Sequence, residues 1–461
     1  MAYTWIVVCG GIAAGAMAWG IGANDLANAF GTTYGSGVLT QKQIVVLASV
    51  CEFGGAFALG SQVTKTIAGS ITSVDHFVTE PYVFMYGMLS ALVAATSWTY
   101  LATYLELAVS TTHSIIGGIM GFALVSGGGG AVSWMKSTPD FPYVTGAVPV
   151  VISWFSSPLL AAAVSAGIFG GMRRMILRHP NSNERALFVF PIALVFTTWI
   201  NVFFVLSKGA KDRLKWPIAQ CSWVAGVASA GAGLAGMGAM PWLRRYIQRQ
   251  VAVDVEPAAY VGCGDAKAKT DAGEAGGEAG CEVRAQPEQF HPDTEACFKF
   301  LQVFTAICMS FAHGANDVSN AIGPFAAIYN IHATGAVASS NDVPLWMLGI
   351  GGAGLVFGLT IHGLRIMRVL GTKLTHITAT RGFAAELATG LVVSFASSYG
   401  MPISTTHCIT GAIIGVGLVE GADYVDWKVA GKTFTAWIGT VIVTGVLSAA
   451  LFAQGVYAPS V

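Results

Sequence analysis

The chain has 461 residues, of which 54% are hydrophobic and 10% are charged, and its formal net charge is zero. Because an ordinary soluble protein carries about 25% charged residues, this composition excludes a soluble domain and indicates extensive lipid-facing surface. The balanced charge gives no reason to expect a nucleic-acid partner. The eight cysteines show no CxxC spacing, so they predict neither a disulfide framework nor a zinc site.

The apolar runs predict an all-α membrane protein with about twelve transmembrane segments, since about 20 apolar residues span a bilayer. The fourth and eleventh segments are short and polar at their starts, which predicts broken or re-entrant helices there. In chain order the segments are 4–30, 43–63, 82–103, 107–126, 145–170, 187–207, 217–240, 298–327, 344–364, 383–399, 402–420 and 433–456.

One hydrophilic stretch, 241–297, separates the seventh and eighth segments, and its low-complexity centre predicts a largely disordered loop. Lys and Arg are more frequent in the loops after odd-numbered segments. The positive-inside rule therefore predicts that 241–297 is cytoplasmic and that both termini lie outside. The predicted division is a first transmembrane repeat at 1–170, two connecting helices at 171–240, the loop at 241–297 and a second transmembrane repeat at 298–461.

Two motifs occur twice in the same order, which indicates an internal repeat. The run GANDLANA at 22–29 recurs 292 residues later as GANDVSNA at 314–321, and STTH at 110–113 recurs 294 residues later at 404–407. Seven predicted crossings separate the two repeat starts. Because seven is odd, the halves enter the membrane from opposite sides, and such inverted-topology repeats are typical of secondary transporters with a midplane site.

The first motif places acids and amides inside apolar runs. A carboxylate at the bilayer centre costs a few kcal/mol, and Asp25 and Asn28, at i and i+3, share one helix face. Gly22 and Gly314 weaken helix continuity, and Pro324 predicts a break after the second motif. Carboxylate, amide and broken-helix carbonyl oxygens would together coordinate a small cation.

The second motif suits the start of a helix. A Ser or Thr hydroxyl caps the helix while its free N–H groups and its dipole face an anion. The doubled motifs therefore predict one site for an oxyanion and a cation, with hydroxyls that donate to phosphate and aspartates that accept its protons. Taken singly, such residues are more often packing contacts between membrane helices; the duplication favours the site.

Five further titratable side chains could support this site, although each also has a structural interpretation. Glu386 has Arg381 as a candidate ion-pair partner, and a buried structural pair explains it as well as a transport role does. The two histidines of the STTH motifs are either proton relays or packing residues, with packing favoured. The five are Glu52, Glu106, His113, Glu386 and His407.

At these motifs the chain resembles the inorganic phosphate transporter (PiT) family, which has a duplicated GANDVANA-type signature. The run at 62–67 and RGFAAELA at 381–388 are also similar to that family, and Leu26 and Ser319 are small departures from it. The resemblance implies phosphate uptake through an elevator- or rocking-type inverted-repeat core. The phosphate ligands that it implies are Asp25, Ser110, Thr111, Thr112, Asp317, Ser404, Thr405 and Thr406. The sodium ligands that it implies are Asn24, Asp25, Asn28, Asn316, Asp317 and Asn320.

The resulting expectation is a plasma-membrane symporter, not an enzyme, that imports inorganic phosphate by alternating access coupled to the Na⁺ gradient. It needs no cofactor beyond the coupling ion, and a homodimer is an open alternative to a monomer. Coupling to H⁺ is the first alternative. A membrane enzyme that acts on phospholipid through Mg²⁺ is the second, and a non-transporting receptor is the third.

Overall fold

The computed structural model describes residues 3–137, 143–207, 216–253, 287–338, 343–398 and 403–458. Within these ranges the chain is almost entirely helical, apart from a two-stranded hairpin of β1 (Lys136–Ser137) and β2 (Val144–Thr145). The helices are α1 (Thr4–Gly35), α2 (Gln41–Ile71), α3 (Pro81–Tyr104), α4 (Thr111–Gly127), α5 (Ala147–Met172), α6 (Ser182–Val205), α7 (Ile218–Val253), α8 (Pro292–Thr334), α9 (Leu345–Ile361), α10 (Leu364–Arg368), α11 (Ala379–Ser398), α12 (Thr405–Glu420) and α13 (Trp427–Tyr457).

The all-helical membrane class is confirmed, and each of the twelve predicted segments overlaps a helix. By length and hydropathy, eight helices in the described ranges are able to cross a bilayer. A ninth span arises if α9 and the helical segment 364–373 are taken together, since they are bent by 56° at a short break. α12 has only 16 residues, fewer than a full span requires. The count of twelve spans stays a prediction.

The predicted breaks at the GAND motifs are wrong, because α1 and α8 run through them as continuous helices of 32 and 43 residues. The motif glycines serve close packing instead. A Cβ at Gly22 would overlap the carbonyl oxygen of Leu355, and a Cβ at Gly314 would overlap that of Glu52. Pro324 lies inside α8 without ending it.

The hydrophilic stretch 241–297 is shortened at both ends by helix. α7 continues to Val253, and α8 begins at Pro292. The predicted disorder concerns residues 254–286, which lie outside the described part of the chain.

Helix contacts are exchanged between the two halves. α1 packs on α9 whereas α8 packs on α2, and α4 packs on α13 whereas α12 packs on α5. Each of these four pairings joins a motif-bearing helix of one half to a helix of the other half.

The buried apolar side chains form two large clusters, and the motif residues lie between them. α1 contributes Ile21 to one cluster and Leu26 to the other, and α8 crosses the same two clusters in the opposite order, with Met309 before its motif and Val318 within it. A polar layer is thus enclosed by apolar packing on both sides, and α1 and α8 traverse it in opposite directions.

Candidate functional site

The site is built where the starts of α4 and α12 meet the middles of α1 and α8. Ser110 and Ser404 have extended backbone and cap the two helices, since their side chains accept hydrogen bonds from the backbone N–H groups of His113 and His407 at 3.2 and 3.3 Å. As helix caps they leave the first turn free to face the polar layer. Both caps agree with the helix starts predicted from the STTH motifs.

The two motif aspartates are buried and accept hydrogen bonds from threonines of the STTH motifs. Asp25 is 1% exposed and accepts from Thr111 at 2.6 Å and from Thr406 at 3.5 Å. Asp317 is 2% exposed and accepts from Thr405 at 3.4 Å. Each aspartate therefore accepts a hydrogen bond from a threonine hydroxyl at the start of α4 or α12.

The motif asparagines connect the two halves of the chain symmetrically. Asn28 on α1 donates to Thr406 at 2.9 Å and to Thr405 at 3.4 Å. Asn320 on α8 donates to Thr112 at 3.0 Å and to Thr111 at 3.5 Å. The GAND motif of each half thus binds the STTH motif of the other half.

One amide oxygen in this layer is left as a free acceptor. The Oδ1 atom of Asn28 is buried and has no hydrogen-bond partner among the described residues. A buried acceptor without a partner costs about 1–3 kcal/mol, and a bound cation would supply the missing interaction.

The sequence analysis missed His313, which lies between two acids. Its Nε2 atom is 2.7 Å from Asp317 Oδ2, and its Nδ1 atom is 2.9 Å from Glu52 Oε2. Ser310 also donates to Glu52 at 3.2 Å. The signal was available in the repeat, because His313 precedes the second GAND motif where the first copy has Ile21. The residue directly before the motif is thus apolar in the first copy and polar in the second.

Three ligand atoms are close enough to hold a metal ion. One atom each from Asp25, His313 and Asp317 lies within 4.8 Å of the others, and all three residues are buried. Two carboxylates and the amide oxygen of Asn28 are the oxygen donors that hard cations prefer. The residues present therefore fit a small cation beside the hydroxyl groups.

Asn24 and Asn316 have different surroundings from the other predicted sodium ligands. Asn24 donates to Thr103 and to the carbonyl of Leu107, each at 3.0 Å, and accepts from the N–H of Val109 at 3.1 Å. Both N–H groups and the oxygen of the Asn24 amide are thus hydrogen-bonded to the end of α3 and the segment before α4. Asn316 is only half-buried and donates to the neighbouring Asp317 at 3.1 Å.

Glu386 lies in a separate buried cluster of hydroxyl groups. Its carboxylate accepts hydrogen bonds from Thr32, Thr33 and Thr305, with Thr33 at 3.1 Å. The expected ion pair with Arg381 is wrong, because Arg381 is paired with Glu420. The two side chains are five positions apart on a helix, and such residues do not face each other.

The other supporting residues lie beside the site. His113 and His407 meet edge to face with ring centroids 4.6 Å apart, and each also contacts a tryptophan, Trp154 at 5.1 Å and Trp437 at 3.7 Å. Glu106 is exposed and forms an ion pair with Lys373 at 2.9 Å, so it lies outside the buried layer.

Comparison with known proteins identifies the family that the chain resembles over most of its length. The sequence model of the phosphate transporter family matches residues 21–448. The chain is 37% identical to the chloroplastic inorganic phosphate transporter 2-1 of Arabidopsis thaliana, over 94% of the chain and 69% of the relative. It is 36% identical to a putative phosphate permease of Pyrococcus horikoshii, over 95% of the chain and 94% of the relative.

A solved structure described as the sodium-dependent phosphate transporter is similar in fold. It superposes with a TM-score of 0.78 at 32% identity, covering 97% of this chain and 98% of that one. These relatives are transporters and permeases rather than enzymes, which rules out the phospholipid-processing alternative.

Proposed function

Because the chain belongs to the phosphate transporter family, we propose that it is a secondary active symporter that imports inorganic phosphate with Na⁺. The observation that carries this proposal is the polar layer, in which buried acids, amides and hydroxyls of both halves converge between two apolar clusters. An unpaired carboxylate is costly inside a bilayer. A buried site that contains both motif aspartates, Asp25 and Asp317, is therefore expected to bind a ligand.

Phosphate would lie against the two helix starts. The threonines at 111–112 and 405–406 supply hydroxyl donors, and the first N–H groups of α4 and α12 favour an anion. Asp25 and Asp317 would accept the protons that phosphate carries near neutral pH and that sulfate lacks. We therefore expect sulfate to compete weakly.

Na⁺ would bind beside phosphate and offset the repulsion between substrate and carboxylates. Asp25, Asp317 and the free oxygen of Asn28 provide the hard oxygen ligands. The similarity to a sodium-dependent phosphate transporter supports the same coupling ion. Without such a cation, two carboxylates and an anion would share one low-dielectric site.

The alternating-access cycle would use an inverted repeat of about twelve crossings. The opposite order in which α1 and α8 pass the two apolar clusters supports this topology. We place the protein in the plasma membrane, with both termini outside and residues 241–297 in the cytoplasm, as the charge pattern of the loops indicates.

H⁺ coupling is the second candidate, and His313 is the observation that favours it. An imidazole between Glu52 and Asp317 forms a continuous buried path from one carboxylate to another, and such chains are used to relay protons. In this case a proton carried on the path would replace Na⁺ as the coupling ion.

Uptake of radiolabelled phosphate into proteoliposomes under separately imposed Na⁺ and H⁺ gradients tests the proposal. We expect concentrative uptake with a Na⁺ gradient at equal pH on both sides. Uptake that ignores Na⁺ and follows the pH gradient would favour the second candidate, and no uptake under either gradient would refute phosphate symport.

A further inference from the structure

An exposed ion pair joins the two halves of the chain beside the polar layer. Glu106 Oε2 lies 2.9 Å from Lys373 Nζ, and the two side chains are 49% and 46% exposed. Glu106 belongs to the segment between α3 and α4, whereas Lys373 ends the π-helical turn Val369–Lys373 that follows α10. The pair is therefore an exposed contact between the first and second halves of the chain.

The acid is attached to the loop that contacts the site. Leu107, the next residue, accepts a hydrogen bond from Asn24 at 3.0 Å, and Val109 donates to the same side chain at 3.1 Å. Val109 also accepts from Thr406 at 3.3 Å. The segment 106–109 thus connects Glu106 to Asn24, the neighbour of Asp25, and to Thr406 at the start of α12.

The segment is also held in an unfavourable backbone conformation. Glu106 has φ +55°, in the left-handed region that residues with a Cβ rarely adopt. Strain of this kind persists only where surrounding contacts over-determine it, and the bond to Lys373 is one such contact.

The charge around the pair is predominantly positive. Lys373, Arg368 and Arg365 all lower the pKa of Glu106, with the hydrogen bond from Lys373 as the largest cause. All three basic side chains are exposed. One carboxylate is therefore paired with one cation and lies near two more, and its segment leads to the buried layer through Leu107 and Val109.

We propose that Lys373 is a transient contact for phosphate on its path between the buried site and the end of the bundle where α1 ends, and that Glu106 occupies Lys373 when phosphate is absent. This inference rests on the proposed function and deepens it. The described contacts of the two buried aspartates include no Lys or Arg, whereas Lys373 is paired with the segment that leads to the start of α4. A carboxylate is a fitting placeholder because it presents the same anionic oxygens to the ammonium group as phosphate does.

The placeholder role predicts opposite effects for the two partners. Lys373→Gln removes the contact and should raise the apparent KM for phosphate supplied at the face where α1 ends. Glu106→Gln frees Lys373 and should lower that KM. Each change should be about two- to fivefold, as for an exposed charge pair, and the double variant should resemble Lys373→Gln, since Glu106 then has nothing to occupy.

The measurement is phosphate transport in oriented proteoliposomes, at low and high ionic strength, with thermal unfolding of each purified variant recorded beside it. Lys373→Arg keeps the charge and should keep the wild-type KM, which also covers the case in which Lys373→Gln folds poorly. The ion pair of Arg244 and Glu184, at 2.6 Å with side chains 51% and 62% exposed, is the matched control. Its neutralisation should leave KM unchanged.

KM shifts in the same direction for Lys373→Gln and Glu106→Gln would show that the pair is only a structural link, and would overturn the inference. Failure of Lys373→Arg to restore the wild-type KM would overturn it as well. A wild-type protein that transports no phosphate would refute the proposed function, whereas either of these results in a transporting protein refutes the inference alone.

Discussion

Asp25 and Asp317 are carboxylates whose described hydrogen-bond donors are mostly neutral hydroxyl and amide groups. Such a site is poorly balanced electrostatically until a cation is bound, because each buried charge loses its hydration. The exception is the contact of Asp317 with His313 at 2.7 Å. The two copies of the motif therefore share their Asp and Asn residues but differ in their surroundings, since His313 contacts Asp317 and the first copy has Ile21 at the matching position.

Substitution of either motif aspartate by asparagine should nearly abolish phosphate uptake. Asp25→Asn and Asp317→Asn keep the shape of the side chain but remove the charge that would hold a cation and accept a phosphate proton. We expect a loss of at least about 100-fold, with little change in thermal stability. Uptake of radiolabelled phosphate and a melting curve measure both, and normal uptake by both variants would remove these acids from the site.

His313→Gln should impair both uptake and stability, because it leaves Glu52 with the Ser310 hydroxyl but without its histidine partner. Breaking a buried ion pair costs about 3–5 kcal/mol, whereas replacing both charges is often much less costly. The double variant with Glu52→Gln should therefore melt at a higher temperature than His313→Gln alone. If the double variant is no more stable, the two side chains are not an ion pair in the folded protein.

At the residue scale the motif repeat predicts side chains that the structure brings together in the polar layer, but it does not predict which of them are in contact. Asn24 and Asn28 lie four positions apart on α1, and the motif predicts the same role for both. In the structure Asn24 donates to the segment before α4, whereas Asn28 donates to Thr406 of the second STTH motif. The duplicated motifs do not predict His313, because the first copy has Ile21 at the matching position.

At the scale of elements, the motif glycines act through helix packing rather than through helix breaks. Gly22 meets α9 and Gly314 meets α2, each at a backbone carbonyl. Periodicity and glycine content cannot distinguish a close crossing from a break, since both uses need a residue without a Cβ. That distinction depends on the opposing helix, which lies hundreds of residues away in the chain.

Gly22→Ala and Gly314→Ala should destabilise the protein and reduce uptake. The added methyl group would overlap a carbonyl oxygen of the facing helix, and overpacking of this kind costs about 1–3 kcal/mol. Gly349→Ala on α9 is the matched control, because nothing lies within 4 Å of a Cβ there. Melting temperatures compare the three variants, and equal values would contradict the close crossings.

At the scale of the whole molecule, the end of the hydrophilic stretch is fastened to the bundle. Glu288 accepts hydrogen bonds from Arg178 and Arg173 at 2.8 Å, and these arginines lower its pKa, with Arg178 the largest cause. Arg381 donates to the carbonyl of Glu288 at 2.6 Å and lies over the ring of Phe290. The chain re-enters the bundle through a defined contact.

Deletion of residues 260–285 should therefore spare transport, whereas a deletion extended to 290 should not. The shorter deletion leaves Glu288 and Phe290 in place, and the longer one leaves three arginines without these partners. Uptake and surface expression distinguish the two variants. Loss of transport in a well-expressed 260–285 deletion would show that the omitted residues contribute more than a connection.

The lowered pKa of Glu288 also sets a pH dependence for this contact. A carboxyl group with a depressed folded-state pKa stabilises the protein above its ordinary value of 4.5, and that stabilisation is lost as pH falls through the depressed pKa. Because the side chain is 31% exposed, we expect less than about 1 kcal/mol. Glu288→Gln should abolish this part of the acid dependence in melting curves.

The rings of Trp154, His113, His407 and Trp437 contact one another in that order, and this aromatic ladder links α5 to α13. An indole stacked 3.7 Å from an imidazole experiences an electronic environment that changes as soon as the rings separate. Any cycle that slides one half past the other must disturb this ladder. In a variant whose other tryptophans are replaced, the intrinsic fluorescence of Trp437 would then change during transport and report the movement without an added label.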